Sequence, residues 1–261
     1  MPIHLRSLLR PVVRGLAWPL GWLGLDLRRA ATLRFLPRYW SDRIAFVRAG
    51  GRITRSQAVL SDFAASSGTA SGHYFHQDLL VARLIHAAAP RRHVDVGSRV
   101  DGFVAHVASF REIEVFDIRP QPAPAHPQIR FVQADLMQLD GGLEGCCDSV
   151  SCLHALEHFG LGRYGDPIDP QGHRRGFESL HRMLEPGGTL YLSFPIGQPG
   201  VHFNAHRVFD PEQPLEWAAE RLVLAQFHFV DDRGALHRDR RIADARGLRY
   251  GCGIYVLRKI M

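Results

Sequence analysis

Two short polar stretches hold the residues of this 261-residue chain best suited to chemistry. The first opens His154-Ala155-Leu156-Glu157-His158 and continues through Tyr164 and Asp166 to Pro167; the second is Asn204-Ala205-His206-Arg207. An imidazole exchanges a proton near neutral pH, and a nearby carboxylate can orient the ring and stabilise its protonated form. His154, His158 and His206 are therefore candidate general bases, with Glu157 as the orienting carboxylate. Tyr164, Asp166, Asn204 and Arg207 are candidate substrate-binding groups. For each histidine a purely structural role is the competing reading.

Two familiar patterns overlap the first stretch and are set aside. His154, Glu157 and His158 fit H-x-x-E-H, in which two histidines on one face of a long helix bind zinc and the glutamate acts as base. Here the pattern opens at the end of an apolar strand-like run, and Gly160, Gly162 and Gly165 follow almost at once. Those glycines spell G-x-G-x-x-G, but no strand directly precedes them, as a dinucleotide loop requires. The cysteines, Cys146, Cys147, Cys152 and Cys252, form no C-x-x-C pair. No metal site is expected, and the thiols are expected to be reduced.

Catalytic loops need a scaffold, and from Phe75 onward helical and extended patterns alternate as β-α-β units do. Helices are expected over Phe75–Ala88, around Phe103–Ala108 and over Arg174–Leu184. Strands are expected at His93–Val96, Ile113–Ile118, Ile129–Gln133, Ser149–Leu153, Thr189–Pro195, Leu222–Val230 and Gly253–Lys259, with Glu185–Gly188 as a turn. The expectation is an α/β fold: a Rossmann-like, doubly wound, mostly parallel seven-stranded sheet. Ligands of such sheets bind beyond the carboxyl ends of the strands. The first strand ends in Asp95-Val96-Gly97-Ser98, where Gly97 lets the backbone approach a ligand. Asp117 ends the second, 20 residues after Gly97, the spacing of a carboxylate that takes both ribose hydroxyls of a nucleoside. Asp135-Leu136 follows the third, placed to receive an adenine amino group and cover the ring. The alternative is that these carboxylates only cap turns.

The composition, 46% hydrophobic and 22% charged, is that of a globular protein and excludes disorder, collagen and coiled coil. The net charge of +6 is unevenly spread: residues 1–55 carry eleven Arg against Asp26 and Asp42, a balance of +9, and the remainder is slightly acidic. Leu5, Leu8, Leu9, Val12, Val13 and Leu16 recur at helical spacing beside Arg6, Arg10 and Arg14, with Trp18 and Trp22 following. Residues 1–60 therefore read as a basic amphipathic helical extension, 61–72 as a linker and 73–261 as the Rossmann-like domain. An anionic membrane surface is the expected partner of residues 1–55, and no nucleic-acid partner is expected. No run is apolar enough to span a bilayer, and no secretory signal is evident. The expected location is cytoplasmic, peripheral to the inner face of the membrane.

HVDVGS, Asp117, QADL and the EPGG turn together resemble the class I S-adenosylmethionine-dependent methyltransferase superfamily, from about His73 to the C-terminus. Members usually show D-x-G-x-G-x-G; this chain reads Asp95, Gly97, Arg99, Asp101, with Gly102 one place late. The blocks His73–Ala82, Asp95–Phe103, His154–Pro167 and Phe203–Phe209 resemble the domain of unknown function 268 family. The resemblance implies S-adenosylmethionine as cofactor, with Asp95, Gly97, Ser98, Asp117, Asp135 and Leu136 around it. It implies methyl transfer to a small polar acceptor, such as a sugar or glycolipid hydroxyl. The alternative is an inactive methyltransferase-fold scaffold at a membrane-associated assembly.

Overall fold

The computed structural model describes residues 27–121, 126–139 and 141–261. The helix expected over Leu5–Leu16, with Trp18 and Trp22, lies outside the described residues. The chain divides into two compact units, Met1–Thr69 and Ala70–Met261. In the first, helices run over Leu27–Thr32 and Leu36–Arg48, and a 3-10 turn covers Ser61–Ala64 inside the stretch read as a linker. Helix Leu36–Arg48 buries none of its residues, and Trp40, Ile44, Phe46 and Val47 are exposed.

The second unit is built on one sheet. In chain order its strands are β1 (His93–Val96), β2 (Ile113–Asp117), β3 (Ile129–Gln133), β4 (Cys147–Leu153) and β5 (Leu184–Gly197). A separate hairpin follows, β6 (Gly200–His202) with β7 (His206–Val208); then β8 (Leu222–Val230), β9 (Leu236–His237) and β10 (Tyr250–Lys259) return to the sheet. The order across the sheet is β3-β2-β1-β4-β5-β10-β8-β9. Strands β1 to β5 pair in parallel, and β10 is antiparallel to both of its neighbours, β5 and β8. Among the described residues the main sheet has eight strands where seven were expected. The additional one, β9, has two residues at an edge, too few to leave a period of two in the sequence.

Strands β1 and β2 are buried throughout, because helices cover both faces of the sheet. Alternate residues of β5 serve different cores. Leu190, Leu192 and Phe194 pack with Phe177, Leu180 and Met183 of helix Gly172–Met183. Tyr191 faces a second cluster containing Leu80, Val81 and Ile85 of helix His73–Ala88 together with Phe103 and Val107. The turn expected at Glu185–Gly188 becomes an irregularity within a strand pair: Cys147 pairs with Leu184 but Ser149 with Thr189, and Gly187 takes φ 79°. The helix expected around Phe103–Ala108 begins with an irregular turn over Val100–Val104, whose Gly102 is non-helical, and is regular only over Ala105–Ala108. The strand order reverses between β1 and β4, so the crevice at their carboxyl ends is where this sheet admits a ligand.

Candidate active site

A cavity of about 510 Å³, its open mouth included, lies at that crevice. Gly97, Asp117, Asp135 and Leu136 line it from the ends of β1, β2 and β3; His154, Ala155, His158, Tyr164 and Asp166 line it from the loop after β4. Gly97 sits at φ 78°, and a Cβ there would come within 2.7 Å of the Ala155 methyl, so the close seam of two loops at the cavity floor requires glycine. Asp135 accepts the Met137 N–H at 2.8 Å through Oδ1, leaving capacity for a donor from the cavity. Leu136, 3% exposed, supplies an apolar wall. Ser98 lines the wider groove that adjoins the cavity.

Asp95 touches neither space. It is fully buried, accepts hydrogen bonds from Ser151 Oγ at 2.5 Å, Ser98 Oγ at 3.0 Å and Ser98 N–H at 3.1 Å, and so shapes the loop that carries Gly97. Burial pushes its carboxyl up to about 7 against the pull of those hydrogen bonds. The sequence reading is corrected here: Asp95 sets the geometry of the site from behind it.

Asp117 is already engaged. The Arg119 guanidinium binds it in bidentate fashion, Nε to Oδ1 at 2.9 Å and Nη2 to Oδ2 at 2.5 Å, and the Arg119 N–H adds a third bond at 2.8 Å. The same guanidinium lies 4.5 Å over the Tyr164 ring, which is also flanked by Arg163 at 5.3 Å. Arg119 escaped the sequence reading because nothing about an arginine two residues past a strand distinguishes it; the signal would have been its distance from Asp117.

The neighbouring strands β4 and β5 bring the two polar loops together. His154, at the end of β4, adopts φ 50° while its N–H bonds the Ser193 carbonyl of β5. A left-handed backbone at a residue other than glycine is strained and turns the chain sharply out of the sheet. His154 Nδ1 donates to Glu157 Oε1 at 2.8 Å. The H-x-x-E-H residues thus stand on a strand end and the 3-10 turn Leu156–His158, and the glutamate binds the first histidine. His158 Nδ1 lies 2.6 Å from the Ala205 carbonyl, an acceptor only, so Nδ1 carries the hydrogen and the neutral ring keeps its lone pair on Nε2. Glu157 Oε1 is 3.7 Å from that Nε2. Burial holds His158 below the usual imidazole range, with Glu157 opposing. His206 lines the groove, stacks on His202 at 4.9 Å and is likewise held low, first by burial and then by His202.

Three expected substrate-binding groups do other work. Arg207, 4% exposed, donates Nη1 to the Phe159 carbonyl at 2.7 Å and the Glu157 carbonyl at 3.3 Å, and Nη2 to the Pro170 carbonyl at 3.4 Å, buttressing the loop from below. Asn204 is the exposed left-handed turn residue of the β6–β7 hairpin and lines neither space. Asp166 reaches the cavity rim but spends its oxygens on the N–H groups of Gly160, Gly162 and Tyr164. Gly160 belongs to the same turn: at φ 78° a Cβ would collide with the Asp169 carbonyl. Tyr164 keeps its place in both walls. The groove gains Arg163, Tyr74 and Tyr250, which sequence spacing did not flag.

This mostly parallel sheet, in which β10 and the short β9 run against the other strands, has similar solved structures. Burkholderia thailandensis 1,6-didemethyltoxoflavin-N1-methyltransferase, solved with 1,6-didemethyltoxoflavin and S-adenosylhomocysteine, is similar over 89% of each chain at 20% identity and a TM-score of 0.50. The N-methyltransferase NodS from Bradyrhizobium japonicum, with S-adenosylhomocysteine, is similar over 72% of this chain and 88% of its own at 14% identity and a TM-score of 0.50. The [4+2]-cyclase SpnF is similar over 73% of this chain and 88% of its own, at 17% identity and 0.51. The fold is that of the class I methyltransferases. Residues 132–215 also match the family described as Caenorhabditis protein of unknown function, DUF268. Two of the four resembling blocks, His154–Pro167 and Phe203–Phe209, fall inside that match. No curated protein matches the chain. Among the described residues no helix is long and apolar enough to cross a membrane.

Proposed function

We propose that this class I methyltransferase fold binds S-adenosylmethionine across the ends of β1, β2 and β3 and methylates a small polar acceptor in the adjoining groove. The observation that carries the reading is the continuity of the two spaces: Gly97, Asp117, Arg119, His154, His158 and Tyr164 line both. The cofactor fits the residues present. Gly97 leaves room for close backbone approach, Asp117 and Asp135 offer acceptors for ribose hydroxyls and an adenine amine, and Leu136 offers an apolar face. When bound, S-adenosylmethionine would supply an electrophilic methyl carbon with its sulfur as the leaving group.

The chain's part is orientation and proton removal. His158 takes the acceptor proton on Nε2, the atom its bond to Ala205 leaves free, and the Glu157 carboxylate steadies the imidazolium that results. Arg163 has no carboxylate partner among the described residues; its Nη1 donates to the Ala205 carbonyl at 2.8 Å, and its remaining donors serve an acceptor rich in oxygens. A sugar or glycolipid hydroxyl is the acceptor class we favour, because a weakly acidic hydroxyl needs the base this groove holds. Calorimetry with S-adenosylhomocysteine tests the reading: micromolar binding by the full chain supports it, and no binding overturns it. The second reading, an inactive scaffold, draws on the occupation of Asp117 by Arg119. It requires that no sugar or glycolipid hydroxyl yield S-adenosylhomocysteine in the presence of S-adenosylmethionine. Peripheral attachment of the first unit to anionic membrane is part of the same proposal, supported by the exposed Trp40, Ile44 and Phe46 beside Arg38, Arg43 and Arg48.

A further inference from the structure

In the groove wall lies a cluster to which the proposed methyl transfer assigns no step. His73 opens helix His73–Ala88, His154 ends β4 and Cys252 sits near the start of β10, and their ligating atoms all lie within 4.8 Å of one another. His154 has its Nδ1 committed to Glu157, and its other nitrogen, buried on a side chain only 4% exposed, meets the Cys252 thiol and no better hydrogen-bond partner. The Cys252 thiol is fully buried, and its contact with the Gln77 carbonyl oxygen is long, 3.8 Å.

We propose that His73, His154 Nε2 and Cys252 Sγ bind a zinc-class divalent cation. Two imidazole nitrogens and a thiolate are a donor set that zinc takes, with three protein ligands and one open position. The contact from Glu157 to His154 Nδ1 is the outer-shell carboxylate that fixes the tautomer and raises the basicity of a ligating imidazole. Zinc–nitrogen bonds of about 2.0–2.1 Å and a zinc–sulfur bond of about 2.3 Å put tetrahedral ligands about 3.3–3.6 Å apart. The cluster therefore closes by about an ångström on binding. His73 makes that movement: it is the first residue of its helix and partly exposed, and its ring, now stacked on His154 at 5.3 Å, turns to aim a lone pair at the shared point. His154 and Cys252 are held by β4 and β10. Binding releases the thiol proton and ties the helix start, the parallel sheet and the antiparallel strand together. The fourth position faces water or a group from the groove that Tyr74, His154 and Tyr250 line.

The test uses the full chain, stripped with chelator and dialysed against equimolar zinc, with metal content read by mass spectrometry and affinity by competition with a chromophoric chelator. One zinc per chain is expected. Cys252→Ser and His73→Gln should each weaken it by more than about 100-fold, and Glu157→Gln by about 10- to 100-fold, the usual effect of losing an outer-shell partner. Cobalt in place of zinc should give a thiolate-to-metal charge-transfer band that Cys252→Ser abolishes. Loss of zinc on dialysis, unchanged affinity in the variants, or a cobalt spectrum without sulfur character would overturn the site. Circular dichroism of the metal-free variants shows that they fold. If Cys252→Ser does not, His73→Gln, at the partly exposed helix start, decides alone. The proposal stands apart from methyl transfer: metal-free chain that binds S-adenosylhomocysteine but not zinc fails only this inference, and the converse fails only the other.

Discussion

The base role proposed for His158 rests on a single hydrogen bond. The Ala205 carbonyl takes the hydrogen of Nδ1, so the other nitrogen is the one that can accept a proton. His158→Ala should lower turnover by about 10²- to 10⁴-fold and leave S-adenosylhomocysteine affinity nearly unchanged, as steady-state kinetics beside calorimetry will show. Because burial depresses His158, its neutral form persists below the ordinary imidazole value of 6.5. The rate at low acceptor concentration should therefore stay level as pH falls through 6.5 and decline only further down; a decline beginning at or above 6.5 would exclude His158 as the base. The pairing of Asp117 with Arg119 makes a second residue-scale case. Asp117→Ala should weaken cofactor binding by about 1.5–3 kcal/mol, as loss of hydrogen bonds to a charged group does. Arg119→Ala should have the opposite sign, tightening it by up to about 1 kcal/mol, since a part-exposed ion pair is worth no more and the ribose no longer has to displace it. Weaker binding in Arg119→Ala would mean that the guanidinium itself contacts the ligand.

Strands β1 and β4 carry a polar network at the heart of the sheet. His93, 2% exposed, meets Ser149 Oγ at 2.7 Å and Ser151 Oγ at 3.2 Å, and Ser151 in turn donates to Asp95. Burial drives His93 down to about 3. Its unfolded form takes up a proton near 6.5 and its folded form only near 3, so stability is lost as pH falls from 6.5 toward 3, at up to about 1.4 kcal/mol per unit. Asp95 has the reverse sign. With its folded value raised to about 7, its contribution is present below 3.8 and lost as pH rises through 7. Between pH 4.5 and 7 the two groups oppose each other, so in urea denaturation at these two pH values His93→Gln should shift the stability change on acidification toward gain relative to the unsubstituted chain, and Asp95→Asn should shift it toward loss. Parallel pH slopes in His93→Gln and the unsubstituted chain would show that His93 does not govern the acid limb. Where β1 ends, Gly97→Ala should cost about 1–3 kcal/mol in stability through its positive φ and its contact with Ala155, and should also lower cofactor affinity.

At the scale of the whole molecule, every residue lining the cavity and the groove lies between Tyr74 and Tyr250, within the unit Ala70–Met261. A chain of residues 70–261 should therefore keep its affinity for S-adenosylhomocysteine within about threefold, while the full chain alone floats with vesicles of anionic lipid. Equal flotation of both chains, or flotation insensitive to lipid charge, would remove the membrane proposal.

What the sequence by itself determined follows from periodicity and local spacing. Short runs rich in β-branched and apolar residues located β1, β2 and β3 to within a residue, although only β1 and β2 are buried and β3 is partly exposed. Gly97, Asp117, Asp135 and Leu136 were singled out by their places at strand ends, and all four line the cavity there. The two-residue β9 left no pattern, and neither did the register shift that absorbs Glu185–Gly188. Tertiary structure alone decided what each polar side chain does. Arg207 and Asn204 sit one and two residues from His206, which lines the groove, yet three carbonyls claim one and a hairpin turn the other. Asp95 went behind the site and Arg119 into it. His73, His154 and Cys252 are 81 and 98 residues apart in sequence, so no spacing could join them; only the pairing of β4 with β5, and of β5 with an antiparallel β10, brings a helix start and two strands to one point.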